Sequence, residues 1–212
     1  MKYKKNTARI RMLVLALAFV FAACCLTACS DKDDGGDETH VLQYAGVDMS
    51  AHVRLGQYTG LTVTLAEGES RGEAVWRAVR EGCEMIAYPE PQVEYYLEQS
   101  RERCRYYSNT HDVSYGEAVA ALGYTEESML AEARALVASD MIGIALRADA
   151  GIVLTDEEKE KFFDKYVDKY VSDWGYNRSY VEDNLREEIY GSMLYDKTTE
   201  YLIKNNTFVS AE

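Results

Sequence analysis

From residue 70 to residue 204, apolar side chains recur every three or four positions, the period of helices with one buried face. Ser70-Arg-Gly-Glu73 has the form of a capping box and opens a helix through Val75, Trp76 and Val79. Tyr88-Pro89-Glu90-Pro91 starts the next, because proline suits a first turn and not an interior. Its stripe is Val93, Tyr96, Leu97, Cys104 and Tyr107. Ser114–Glu117 is a second box, before a short helix ended by Gly123. Thr125 caps a long helix bearing Met129, Ala133, Leu136, Val137, Met141 and Ile144, stopped by Gly151. Thr155–Glu158 is a third box, before Phe162, Phe163, Tyr166, Val167, Tyr170 and Trp174. Ser179–Glu182 is a fourth, for a helix running through Leu185, Ile189 and Leu194 to Leu202. Ahead of these helices, His52–Leu55 and Leu61–Leu65 alternate polar and apolar residues, with glycine breakers between them. A β-hairpin is the simplest form of that pattern. The expected fold class is mainly α with this short hairpin before the helices.

The first 28 residues follow a different rule. Residues 1–11 carry Lys2, Lys4, Lys5, Arg9 and Arg11 and no acid, and residues 12–25 are wholly apolar. A basic start, a greasy run shorter than the roughly 20 residues of a membrane span, and small residues before a cut site are the parts of a secretory signal. Leu26-Thr27-Ala28-Cys29 resembles a lipobox, which implies diacylglyceryl attachment to the Cys29 thiol and cleavage before it. Two acyl chains meet the condition for stable anchoring. The alternative is an uncleaved signal anchor with an incidental cysteine. The division expected is a signal peptide at 1–28, a lipid-anchored acidic tether at 29–50, a strand-plus-helix segment at 51–87 and a helical domain at 88–208. The location expected is the extracytoplasmic face of a cell membrane.

Charge narrows the partners. Loss of the leader removes five of 23 basic residues and none of 36 acidic ones, leaving a net charge of −18. Such a surface repels nucleic acid and anionic headgroups, so no nucleic-acid partner is expected and the lipid must do the anchoring. Chemistry is sparse. Three histidines are scattered, there is no CxxC, and no glycine-rich phosphate loop or nucleophile–base set stands out, so no metal, cofactor or catalytic residue is assigned. The acidic run Asp156-Glu157-Glu158 reads as a first helical turn favoured by the macrodipole rather than a cation site. Cys83 and Cys104 read as two thiols, since Cys104 lies roughly 20 Å along its helix; a disulfide is the alternative that export allows.

Tyrosine is unusually frequent: sixteen of seventeen follow residue 28. The densest aromatic cluster runs Phe162, Phe163, Tyr166, Tyr170, Trp174, Tyr176 and Tyr180. Adjacent aromatics point to different sides of a helix, so they cannot all share one buried stripe. One face can pack on the long helix at 125–149, and the other is left to solvent or a cleft. The face with Tyr166 and Tyr170 is expected to be the open one, because hydroxyls are costly to bury unpaired. Two readings of Phe162, Tyr166, Tyr170, Trp174, Tyr176 and Tyr180 stand: a surface that holds unfolded chain, or ordinary core with surface tyrosines.

The order of motifs in residues 88–208 resembles the C-terminal chaperone domain of trigger factor, related to the N-terminal chaperone domain of SurA. The resemblance rests on Tyr88-Pro89-Glu90 with Val93-Glu94, the short helix ended by Leu122-Gly123, Tyr124-Thr125-Glu126-Glu127, Gly151–Glu158 between two long helices, and the close at Tyr201–Asn205. Leu55–Val63 is similar to a strand segment upstream in Gram-positive trigger factors. It covers about two thirds of the chain after residue 28. What it implies is a holdase for unfolded or newly exported polypeptides. Residues 66–87 leave no room there for a prolyl isomerase domain, which needs about 50 residues or more, and no parvulin domain is expected after residue 208. The acidic exterior favours basic clients. The rival readings are an adaptor or structural lipoprotein with one fixed partner and, in the enzyme class, a prolyl isomerase relative.

Overall fold

A computed structural model of the protein describes residues 44–211. The expected signal peptide, Cys29 and most of the expected tether lie outside the described residues. Among the described residues are eight helices: α1 Met49–His52, α2 Arg71–Gly82, α3 Glu90–His111, α4 Tyr115–Ala121, α5 Glu126–Ala150, α6 Asp156–Trp174, α7 Arg178–Asn184 and α8 Arg186–Lys204. Four strands accompany them: β1 Val53–Arg54, β2 Thr62–Leu65, β3 Glu84–Met85 and β4 Thr207–Ser210. The protein is therefore mainly helical.

Capping sets the helix starts. Ser70, Ser114 and Thr155 form reciprocal boxes with Glu73, Glu117 and Glu158, and Thr125 forms one with Ser128. Each box satisfies two of the N–H groups that a helix start leaves orphaned. Pro89 is the N-cap of α3 and Pro91 lies in its first turn. Gly151 and Gly175 end α5 and α6 in the left-handed conformation, which costs glycine nothing.

The fourth box does not form. The Asn177 side chain accepts from the Ser179 N–H at 3.0 Å, so α7 starts at Arg178 and Ser179 lies inside it. At Leu185 the backbone leaves the helical region (φ −118°, ψ 24°), splitting the single helix expected there into α7 and α8. Asn177 wins because it is the earlier capping side chain, and an asparagine at the N-cap is as effective as serine.

The hairpin is also corrected. β1 pairs antiparallel with β3, Val53 opposite Met85, and β2 pairs parallel with β4, Thr62 opposite Thr207. The breaker between the two segments is already committed elsewhere: Gly60 N–H donates to the Asn205 carbonyl at 2.8 Å, and Leu61 N–H to Asn206 Oδ1 at 2.7 Å. With the turn tied to the C-terminal end, the two segments cannot fold onto each other.

The main core joins Val53 and Val63 to Val75, Trp76 and Val79 of α2, Val93, Tyr96 and Leu97 of α3, and Met129, Val137, Met141 and Leu146 of α5. Leu202 of α8 belongs to it too. Trp76 is held from α8: its Nε1–H donates to Thr199 Oγ1 at 2.7 Å and its ring stacks on Tyr195 at 5.5 Å. Tyr44, at the start of the described chain, is buried, and its hydroxyl donates to Asp140 at 3.0 Å, a carboxylate that also accepts from Tyr96. Burial, then the Asp140 charge, pushes both phenols far above the usual tyrosine range. Cys83 and Cys104 are free thiols, the second buried.

A second, smaller core gathers Val167 of α6, Val181 of α7, Leu185, and Ile189 and Met193 of α8. Thus α8 serves both: its first turns close the small core and its last turns close the main one. No helix among the described residues is long and apolar enough to cross a membrane.

Candidate functional site

Helix α6 sorts its side chains into four rows, because positions four apart nearly eclipse at 3.6 residues per turn. Asp156, Glu160, Asp164 and Asp168 form an acidic row; Lys161, Lys165 and Lys169 form a basic one; Phe162, Tyr166, Tyr170 and Trp174 form an aromatic one. The fourth, Phe163, Val167 and Val171, is apolar and packs into the small core. Contact with that core aims the helix at α7 and α8, and this corrects the expectation that α6 would lean on α5.

The same contact corrects the expectation for Tyr166 and Tyr170. Both are part-buried against α8, and both hydroxyls are satisfied there. Tyr166 donates to Asp196 Oδ2 at 2.7 Å, and Tyr170 lies 3.0 Å from Ser192 Oγ. Burial raises both phenols above their ordinary range, and the Asp196 carboxylate raises Tyr166 further. A paired hydroxyl removes the penalty that argued for exposure. The open members of the row are its ends, Phe162 at 37% exposure and Trp174 at 40%.

Between α6 and α8 runs a continuous groove. One depression, of about 380 Å³, is walled by Lys165, Tyr166, Asp168, Lys169, Ser172 and Asp196. The adjoining one, of about 130 Å³, shares Lys165, Tyr166 and Asp196 and adds Leu154, Phe162 and Met193. Its end is closed by Lys197, whose ammonium donates to Glu158 and to the Val153 carbonyl. That bond, with the Thr155 backbone N–H, holds the Glu158 carboxyl down at about 2.

Of the aromatic residues singled out in the sequence, the structure brings Phe162 and Tyr166 together in this groove. Tyr170 is turned into the α6–α8 contact, and Trp174 sits beyond the groove at the end of the helix. Tyr176 and Tyr180 stack on each other at 5.8 Å and pack against the small core. Sequence reasoning missed Leu154, Met193, Asp196 and the lysines. The lysine row was legible at its spacing of four; the α8 residues were not, because only tertiary packing sets α8 against α6.

Chemically the groove offers apolar area, the carboxylates of Glu158, Asp168, Asp196 and Glu200 and the ammonium groups of Lys165, Lys169 and Lys197, the equipment of a binding surface. Among the described residues no group of three or more His, Cys, Asp and Glu side chains is placed to hold a metal ion. In comparison with protein-family models, curated proteins and solved structures, the chain matches none.

Proposed function

We propose that this protein is a lipid-anchored, extracytoplasmic holdase that binds unfolded or newly exported polypeptides in the groove between α6 and α8 and performs no catalysis. The observation that carries the reading is the exposed aromatic Phe162 beside Leu154 and Met193 in an open groove. Monomer surfaces seldom leave apolar side chains grouped in a concavity unless something occupies it. The Leu26-Thr27-Ala28-Cys29 sequence supports anchoring outside the cytoplasm, and the likeness of residues 88–208 to trigger factor and SurA chaperone domains supports the client class.

The test is suppression of light scattering by several unrelated, chemically denatured proteins diluted into buffer with the purified chain. Suppression of most of them is expected. Phe162→Ser is expected to keep its helical circular dichroism and lose at least about half of the holding capacity, since Phe162 is the exposed aromatic ring in the lining. No suppression by the wild type, or capture of one stoichiometric partner alone, contradicts the reading and favours an adaptor. Anchoring is tested separately: Cys29→Ala is expected to abolish metabolic labelling with a fatty-acid analogue, and unchanged labelling would remove the lipid from the account.

A further inference from the structure

Strands β2 and β4 pair in parallel, and their outer edges are finished differently. On β2 the Thr64 carbonyl accepts from Arg77 Nη2 at 2.9 Å, and just beyond the strand the Ala66 N–H donates to Glu69 Oε2 at 3.0 Å. Arg77 and Glu69 also pair with each other at 2.9 Å, so one ion pair seals that edge. On β4, Thr207 N–H donates to the Leu61 carbonyl at 2.9 Å and Ala211 N–H to the Leu65 carbonyl at 3.2 Å. In a parallel ladder alternate residues face the partner, so Phe208 and Ser210 turn their N–H and C=O groups outward. Those groups enter none of the hydrogen bonds formed among the described residues, and among these no element other than β2 lies along β4. Open edges are ordinarily blunted by shortness, charge or proline. The β1–β3 pair follows that rule, being two residues long and crossed by the Arg54–Glu84 ion pair. Thr207-Phe208-Val209-Ser210 does not: it holds no charge and no proline, and Val209 is 42% exposed beside the open edge.

We infer that the β4 edge is a second client contact, which takes an extended polypeptide segment as a third strand. The edge itself sets the occupant's chemistry. Phe208 and Ser210 present N–H and C=O groups that recur every ~6.6 Å, the repeat of another extended backbone. Such bonding reads backbone rather than side chains, which suits a protein that holds unrelated unfolded chains. Val209 adds a preference for a β-branched or aromatic side chain opposite it. A second copy is a poorer occupant. Strand β4 offers four residues, where a stable interface uses roughly 20–30 a side, and two chains of net charge −13 repel each other. The chain's own residues 30–40 include Asp31, Asp33, Asp34, Gly35, Gly36 and Asp37, residue types depleted in strands. That the guest is a client rests on the holdase reading; that the edge takes a strand rests on β4 alone.

The test is amide hydrogen exchange, read residue by residue by NMR, in the full-length chain held in nanodiscs of neutral lipid. The probe is an octapeptide that alternates threonine with valine and has one lysine and one glutamate at its ends. With the peptide at about ten times its Kd, exchange at Phe208 and Ser210 is expected to slow about tenfold, and at Val209, already bonded to β2, to change less. A counterpart N-methylated at its four central residues keeps the side chains and is expected to slow neither. Ser210→Pro removes an outward N–H and leaves the ladder to β2 in place, since proline is tolerated on an edge strand. It is expected to melt within a few degrees of the wild type and to bind the labelled peptide about tenfold more weakly by fluorescence anisotropy. Val209→Lys keeps every backbone group and adds an edge-blunting charge, and it is expected to weaken binding as well. Unchanged exchange at Phe208 and Ser210, with aggregation of denatured proteins still suppressed, overturns the inference and leaves the holdase reading intact. Slowing at those amides without suppression supports the edge and overturns the holdase reading. Slow exchange there in the absence of peptide assigns the edge to another occupant and overturns the inference: a second copy if the protection grows with protein concentration, the chain's own N-terminal segment if it does not.

Discussion

At Asn206 one side-chain amide joins three parts of the chain. Its Oδ1 accepts from Leu61 N–H at 2.7 Å, and its Nδ2 donates to the carbonyls of Tyr58 at 3.0 Å and Leu202 at 2.8 Å. Truncation leaves part-buried backbone groups unpaired, which costs about 1–3 kcal/mol. Asn206→Ala is therefore expected to lower the melting temperature by roughly 3–10 °C, and a shift under one degree would show that water replaces the amide fully. Gly56 and Gly191 make a contrasting pair. A Cβ at Gly56 would lie 2.0 Å from the Gly82 carbonyl oxygen, whereas one at Gly191 would meet nothing within 4 Å. Gly56→Ala is expected to destabilise severely, and Gly191→Ala, in the exposed middle of α8, to stabilise by about 0.5–1 kcal/mol; thermal melts of the two variants check both signs. Glu69 and Glu158 have carboxyls held at about 2, the first chiefly by Arg77 and the second chiefly by Lys197. Because the folded values lie below the unfolded ones, their contribution is complete above about pH 4.5 and is lost as the pH falls towards 2. Melting temperature is expected to decline through that window, and less steeply in Lys197→Gln; identical slopes would remove Glu158 from the acid response.

Elements differ in how visible they were. The capping boxes at Ser70, Ser114 and Thr155 were legible because a cap is a contact within four residues. The break at Leu185 was not, since an apolar residue in step with its neighbours carries no local stop signal. The strand partners were equally hidden: β2 and β4 meet across about 145 residues, and nothing in Thr62–Leu65 names Thr207–Ser210. Helix α6 had its aromatic row read correctly and its orientation wrongly, because hydroxyl partners on α8 lie outside any sequence window. The small core that holds α6 and α7 has five buried residues, against nineteen in the main core. With so little buried area, α6 and α7 are expected to open as a unit below the global unfolding energy. Native-state hydrogen exchange is expected to find α6 amides less protected than those of α5; equal protection would mean that the two cores unfold together.

Across the whole molecule, α8 couples the groove to the main core, through Met193 at one end and Leu202 at the other. On that expectation the groove is built on a less stable layer braced by a more stable one, an arrangement that would let a binding surface adapt without unfolding the body. The described body starts at Tyr44, pinned to Asp140, so a tether to a lipidated Cys29 would span some fourteen residues. On the proposed anchoring, fourteen residues reach at most about 50 Å, which bounds how far Tyr44 lies from the membrane. The most direct measurement is photo-crosslinking in living cells from a benzoylphenyl side chain placed at Phe162, with the same group at Tyr106, exposed on α3 away from the groove, as control. The account predicts a spread of exported polypeptides crosslinked from position 162 and few from 106. A single discrete partner from position 162, or the same yield from both positions, would contradict it.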